Sequence, residues 1–551
     1  MRLSVSLALL SAPLVFGQTQ QLPSPAPEVK PEDKCIVEGQ VISAVTGEPV
    51  KKAQLMLRKA DGPGSPFAAA SDAGGKFSIA DIDPGKYRLS VTRTGFVSQQ
   101  YGARGNSMLG TTLTLAPGDK LTGIVFKLIA HGVIAGRVVD EDGDPVANVI
   151  VQPMQYRYIR GKKQLMPTGQ SVSNDLGEYR LYGLRPGKYV LMAGYRNMYV
   201  EPAASTRNAP EESYAPVYYP GSLEPSGAAP LTITPGSQLL NTDIRLVKTR
   251  AVRIRGRVIA PARNGMEGAA VFLMPRGAVM YLPGRPVARP DTKGNFELRG
   301  VTPGSYTIAV NYTGSNGERY QGRQPIDVGT SDIDNAQITV LSPISVPGHI
   351  RVEGQSTAHL REVHVTLEPG EGMGGSYATS DDDGNITFRD VSPDKFRVSV
   401  SAPAGLYAKS ARTGDQDLME SELDLSSGSA GGDIEIVLST AGGQADGSVT
   451  NDKGEPAAGV TITLVPEDPK RLPTTFLKTG TTDQYGRFSF KDIAPGDYLA
   501  YAWDQIEFSG MALDPDFVKP YEDKAGKLRI GENGHESLDL KLILTDPSLA
   551  Q

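Results

Sequence analysis

The 551-residue chain has one cysteine, one tryptophan and five histidines. A lone Cys35 cannot form an intrachain disulfide, so each folded unit must hold together by apolar burial. Cys35 shares a strand face with Val37, which reads as a buried thiol; an intermolecular disulfide is the alternative. Positive charge is scarce as well: 56 Lys and Arg stand against 62 Asp and Glu, a formal net charge of −6. Without a basic stripe the chain lacks the electrostatic footprint of a nucleic-acid binder. Phosphate-cradling glycine loops are missing too, and no cofactor is expected.

Long apolar runs are absent with one exception, the N-terminal "MRLSVSLALLSAPLVFG". An early Arg2, an apolar stretch and then small residues read as a secretory signal peptide over 1–17, cleaved before Gln18. The run is shorter than the ~20 residues that a span needs, so no integral membrane span is expected after cleavage. The Pro-rich residues 18–34 read as an extended linker. No segment shows a long helical period.

What the chain does have is glycine and proline, 62 and 41 residues, and they recur in register. Asp72, Asn174, Asp291, Asp381 and Asp483 each precede a glycine by three positions: Gly75, Gly177, Gly294, Gly384 and Gly486. Twelve positions after each first residue stands Pro84, Pro186, Pro303, Pro393 or Pro495, and a ring follows at Tyr87, Tyr189, Tyr306, Phe396 or Tyr498. An internal repeat with such fixed spacing governs the rest of the reading. Asp or Asn can accept from nearby backbone N–H groups while the glycine takes a positive φ. Alternation such as Phe77, Ile79 then predicts a strand, Pro-Gly predicts a type II turn, and "KYRLSV" predicts the return strand. The fourth repeat has Asp394 in place of that glycine.

Upstream of every motif lies a strand with a central glycine: Gly39, Gly136, Gly256, Gly348 and Gly447. Downstream each repeat closes on alternating apolar residues, giving six or seven strands per repeat, the pattern of a small β-sandwich. The expected units are 35–130, 131–250, 251–342, 343–440 and 441–551, each of ordinary domain size. Strung end to end they would reach about 150 Å, taking roughly 30 Å for each.

The stretch "VEGQVISAVTGEPVKKAQLML…SDAGGKFSIADIDPGKYRLSVTRTGF" resembles the carboxypeptidase regulatory-like domain, a transthyretin-like sandwich related to carbohydrate-binding-like folds and collagen-adhesin B-type repeats. The resemblance is strong in repeats one, two and five, fair in three and weakest in four. It implies an all-β tandem array of about five transthyretin- or Ig-like β-sandwiches. Its motif residues are turn and core positions, so it implies a fold far more than a function.

Chemistry is hard to find. "HLREVH" sets His359 and Glu362 at the spacing of a metallocarboxypeptidase motif, but alignment of the repeats points Val363, Val365 and Leu367 inward and His364 outward. A solvated strand edge is expected there, not zinc. No nucleophile elbow occurs. The Asp-rich 140–145 and 380–385 read as solvated turns, with calcium as the alternative. Tyrosine is the uneven feature, since ten of the 22 fall in repeat two. Tyr156, Tyr158, Tyr195, Tyr199, Tyr218 and Tyr219, together with Trp503, are candidate ligand-binding rings; the alternative is that they pack loops onto their own sandwich. The expected protein is secreted, periplasmic or on the cell surface. It is expected to be a non-catalytic binder or spacer for an extracellular glycan or protein. An accessory subunit of a secreted hydrolase is the other reading.

Overall fold

The computed structural model describes residues 30–545, apart from 61–63, 105–108, 160–161, 196–210, 261–265, 267, 277–285, 315–316, 357, 371–374, 430, 469, 472 and 507–508. It is a tandem array of all-β sandwiches. In the first, Cys35–Ser43 runs between Lys76–Ile82, antiparallel, and Lys120–Leu128, parallel. The facing sheet joins Phe67–Ala70, Gln54–Lys59 and Gly85–Thr92, which also pairs with Gln99–Gln100 and Thr112–Leu115. Alternate residues of the two sheets (Val37, Val41, Leu55, Leu57, Tyr87, Leu89, Phe126) close one core, and Cys35 is buried within it. The fifth unit repeats this plan around Gly443–Thr450, between Arg487–Ile493 and His535–Lys541. In the fourth, the sheet built on Ile344–Glu353 has five strands, because Tyr407–Thr413 crosses to join it.

The recurring residues are the joints of this plan. In all five units the leading Asp or Asn accepts from the backbone N–H four residues on, at Lys76, Glu178, Asn295, Asn385 and Arg487, over 2.7–2.9 Å. The glycine three positions on has φ between +70° and +85° in every unit. Its carbonyl accepts from the central strand, at Val41, Val138, Val258, Ile350 or Val449. The ring after the proline anchors the turn it follows: Tyr87, Tyr189, Tyr306 and Tyr498 donate their hydroxyls to the carbonyl four residues back. Burial pushes the Tyr498 hydroxyl up to about 12. Phe396 fills the same place with no hydroxyl, so the bond adds to a unit that packing already closes. Tyr498→Phe is therefore expected to cost the fifth sandwich only about 1 kcal/mol, read as a shift in its thermal midpoint.

Two local expectations need correcting. The Pro-Gly step is not a type II turn: Gly85, Gly187, Gly304 and Gly496 have φ of +151° to +156°, where type II requires about +80°. The chain reverses with help from a bulge just before the proline. Asp81, Gly183, Gly300, Asp390 and Asp492, three positions before it, all have φ between +54° and +73°. The pairing register shifts there, as between Cys35↔Ile82 and Val37↔Ile79. Asp394 takes its turn without a positive φ.

Nor are the sandwiches strung out as a rod. Val247–Ile259 is one strand through the 250/251 position; its first half pairs with Glu211–Ala215, its second with Asn295–Val301 and Ile333–Thr339. The second and third units thus share a strand. Phe476 and Ala494 of the fifth unit pack into the core of the fourth, and the Gly405 N–H donates to Asp492 over 2.9 Å. The fifth unit also returns to the first, where Arg104 pairs with Asp504 at 3.1 Å.

Candidate functional site

The second sandwich carries most of the candidate rings, and it divides them between two faces. Val149–Ile159 pairs with Gly187–Tyr195, and Val149, Val151, Leu191 and Ala193 point into the core. Tyr195 packs at the margin of that core with its ring edge-on to Tyr214, centroids 5.5 Å apart, and Tyr219 packs beside it. The opposite face of the same sheet holds Met154 and Met192, both buried, with Leu165 and Tyr218 against them. Tyr156 lies next along that face, 39% exposed, with the Lys163 ammonium 4.9 Å from its ring centroid. Tyr158 follows on the same strand, opposite Lys163 in the pairing. Tyr199 lies outside the described residues.

Tyr218 packs against the methionine pair and Tyr156 lies further along the same face, while Tyr195 and Tyr219 belong to the core side. The sequence did not mark this apolar patch, because Met154 and Met192 sit on strands where any apolar residue reads as core. Trp503 is fully buried and has no face to offer a ligand. It stacks on Tyr501 at 5.0 Å, meets Phe517 and Tyr521, and donates its indole N–H to Thr463 over 2.8 Å. These rings make a small second core under the 3-10 and α turns of 509–524.

His359 precedes and Glu362 ends a single 3-10 turn, Leu360–Glu362, ahead of the strand His364–Pro369, not on a strand edge. Both are exposed and line an open hollow of about 450 Å³ with Gln355, Ala404 and Thr440. Val363, Val365 and Leu367 point inward as expected; His364 points out and meets the Thr379 hydroxyl at 3.1 Å. Among the described residues no three His, Cys, Asp or Glu side chains come together as metal ligands would.

The Asp-rich turns spend their carboxylates on their own backbones. Asp140 accepts from the N–H groups of Asp142 and Asp144. Burial would raise its pKa, but these bonds and Lys248 outweigh burial and hold it below the usual range. Asp381 is held low by the Asn385 side chain and backbone.

One titratable group that sequence reasoning passed over is Lys478. It lines a hollow of about 240 Å³ between the fourth and fifth sandwiches, with Tyr407, Thr475 and Asp492. Burial pushes its amine below the ordinary lysine value, partly offset by Asp492. The unfolded chain then binds more protons than the folded one over the range between the two values, so stability rises with pH there. Below that range the buried charge is a standing cost. Lys478→Met is expected to raise the melting temperature at pH 7 and to flatten its rise in alkali; a lower melting temperature would show the charge to be stabilising.

Residues 36–128 match the family model of the carboxypeptidase regulatory-like domain. No curated protein matches the chain. Similar solved structures include the minor pilin GBS52 of Streptococcus agalactiae, 14% identical over 39% of this chain and 96% of that one, with a TM-score of 0.23. The TIE protein of Bacillus anthracis is 11% identical over 76% of this chain and 75% of its own, with a TM-score of 0.15. BcpA, the major pilin subunit of Bacillus cereus, is 13% identical over 56% and 99%, also at 0.15. With TM-scores this low, none of the three bears on what this chain does. The family match falls on the first sandwich, whose turn glycine, bulge and anchoring tyrosine recur down the chain: residues 36–128 resemble a carboxypeptidase regulatory-like domain.

Proposed function

We propose that the protein is an extracellular, non-catalytic binder and spacer, and that its second sandwich makes the main contact with a glycan or an extended peptide. The observation that carries the reading is Tyr156, the candidate ring left most exposed among the described residues of the second sandwich. It stands 39% exposed on the Val149–Ile159 strand, beside Lys163 and next along the face from the buried Met154. A flat ring next to a cation suits a sugar face or a peptide backbone, and the sheet beneath holds both in place. The recurring residues of the array, by contrast, are committed to turns and cores. Among the described residues no helix is long and apolar enough to cross a membrane.

The test is a glycan and peptide array probed with the full chain, followed by Tyr156→Ala and Tyr218→Ala. Losing one stacking ring, worth roughly 0.5–1.5 kcal/mol, should weaken binding of an array hit several-fold each. The melting temperature should move by only a few degrees. A collapsed melting temperature with binding unchanged per folded molecule would assign the rings to packing and overturn the reading.

A further inference from the structure

The contact between the first and fifth sandwiches combines a close approach of backbones at a glycine with a side chain that no other unit has at its place. In the unit-opening turn, the residue three positions after Pro49, Pro145 and Pro456 has a positive φ each time: Lys52, Asn148 and Gly459. Of these three it is glycine only in the fifth; the third unit also has a glycine at the equivalent place, Gly268 at φ +79°, but nothing lies within 4 Å of its Cβ position. A Cβ on Gly459 would lie 2.1 Å from the Gly102 carbonyl and 2.8 Å from the Thr111 hydroxyl of the first sandwich. Gly102 is itself at φ +72° and would strike the same threonine. Gly102 and Gly459 thus let the backbones of the two units meet.

Gln484 is the second such residue. It occupies the turn position held by Ala73, Asp175, Thr292 and Asp382 in the other units. Its carboxamide accepts from the Thr114 N–H at 3.2 Å and donates to the Thr114 carbonyl at 3.0 Å. Thr114 belongs to Thr112–Leu115, the strand outside Gly85–Thr92 in the first unit's second sheet. Gln484 therefore satisfies that strand as a neighbouring strand would. The Thr481 hydroxyl adds a bond to the Gly110 carbonyl at 2.8 Å. Arg104 completes the set, donating to the Ala458 carbonyl and to Asp504, both at 3.1 Å.

We infer that these two faces are a specific docking pair that clasps the array closed, and that the same faces join two copies of the chain head to tail when the clasp is open. Complementary faces at opposite ends of one chain are a heterologous interface, satisfied within the chain when the ring closes and between chains when it does not. Linkage through the intervening units gives the closed form a high effective concentration, so the free protein stays monomeric and compact. The inference does not depend on what the second sandwich binds.

The test uses two full-length variants with complementary lesions. One carries Gly459→Lys and Gln484→Ala, the residues that the first unit has at those places, so its fifth sandwich should still fold. The other carries Arg104→Glu and Thr111→Lys, which spoil the first-sandwich face. Circular dichroism melts establish that each is folded. Small-angle scattering should show each variant alone as a monomer with a radius of gyration clearly larger than that of the wild type. Mixed at ~300 μM, they should form heterodimers through the one intact pair of faces. An unchanged radius in the single variants would overturn the clasp. Extended variants that do not associate on mixing would overturn the pairing between copies.

Discussion

Gly447→Ala is expected to remove most of the stability of the fifth sandwich. The new methyl would lie 1.9 Å from the Leu538 carbonyl and 2.5 Å from the Phe488 ring. The carbonyl is part of the parallel pairing between Gly443–Thr450 and His535–Lys541, so it cannot swing aside as a side chain could. Overpacking of a core costs about 1–3 kcal/mol when side chains can shift; against a fixed backbone the loss should reach or pass the upper figure. For a unit of this size that is a fall of roughly 12–20 °C in its melting temperature. Trp503 lies in the same unit, so its fluorescence reports the loss directly. Gly454→Ala is the control, since Gly454 has φ +79° but nothing within 4 Å of its Cβ position. It should cost only the ~1 kcal/mol of a left-handed residue. Equal effects of the two would refute the close approach of strands.

The second large effect is expected at Trp503 itself. Trp503→Ala removes the ring on which Tyr501, Phe517 and Tyr521 all pack and leaves the fully buried Thr463 hydroxyl without its donor. Emptying a site of that size costs about 3–5 kcal/mol. Far-ultraviolet circular dichroism should then show the fifth unit melting first. In the wild type, emission should be at short wavelength and resist quenching by acrylamide. A variant that melts like the wild type, or a quenchable wild-type emission, would return Trp503 to the surface and to the set of candidate ligand rings.

These two residues mark where the sequence was legible and where it was not. The glycine at the centre of each first strand, the Asp-to-Pro spacing and the ring after the proline are fixed in the repeats, and each proved to be a contact that the fold requires. Repetition made them visible, because five copies of one joint rule out coincidence. The positive-φ bulge was visible in the same way, as Asp or Gly three positions before every proline, yet a Pro-Gly pair suggested a commoner turn and hid it. Trp503 could not be placed from sequence, since the rings that bury it come from Pro515–Val518 and the turn after it, which no repeat shares. The clasp was invisible for a related reason. Gly459 and Gln484 look unremarkable singly, and their partners lie roughly 350–370 positions away. On the second sandwich, excess tyrosine was legible but its division between core and outer face was not. That division depends on which residues of the Val149–Ile159 strand face inward.

The most direct measurement of the account is hydrogen exchange by mass spectrometry on the full chain. If every unit is built on the same joint, the N–H groups of Val41, Val138, Val258, Ile350 and Val449, each bonded to the carbonyl of a turn glycine, should be among the slowest to exchange in their own units. The fourth unit, whose motif departs most, should be protected at Ile350 like the rest. Rapid exchange at Ile350, or at any of the five while the surrounding strands stay protected, would contradict a common joint and with it the reading of the chain as one sandwich repeated.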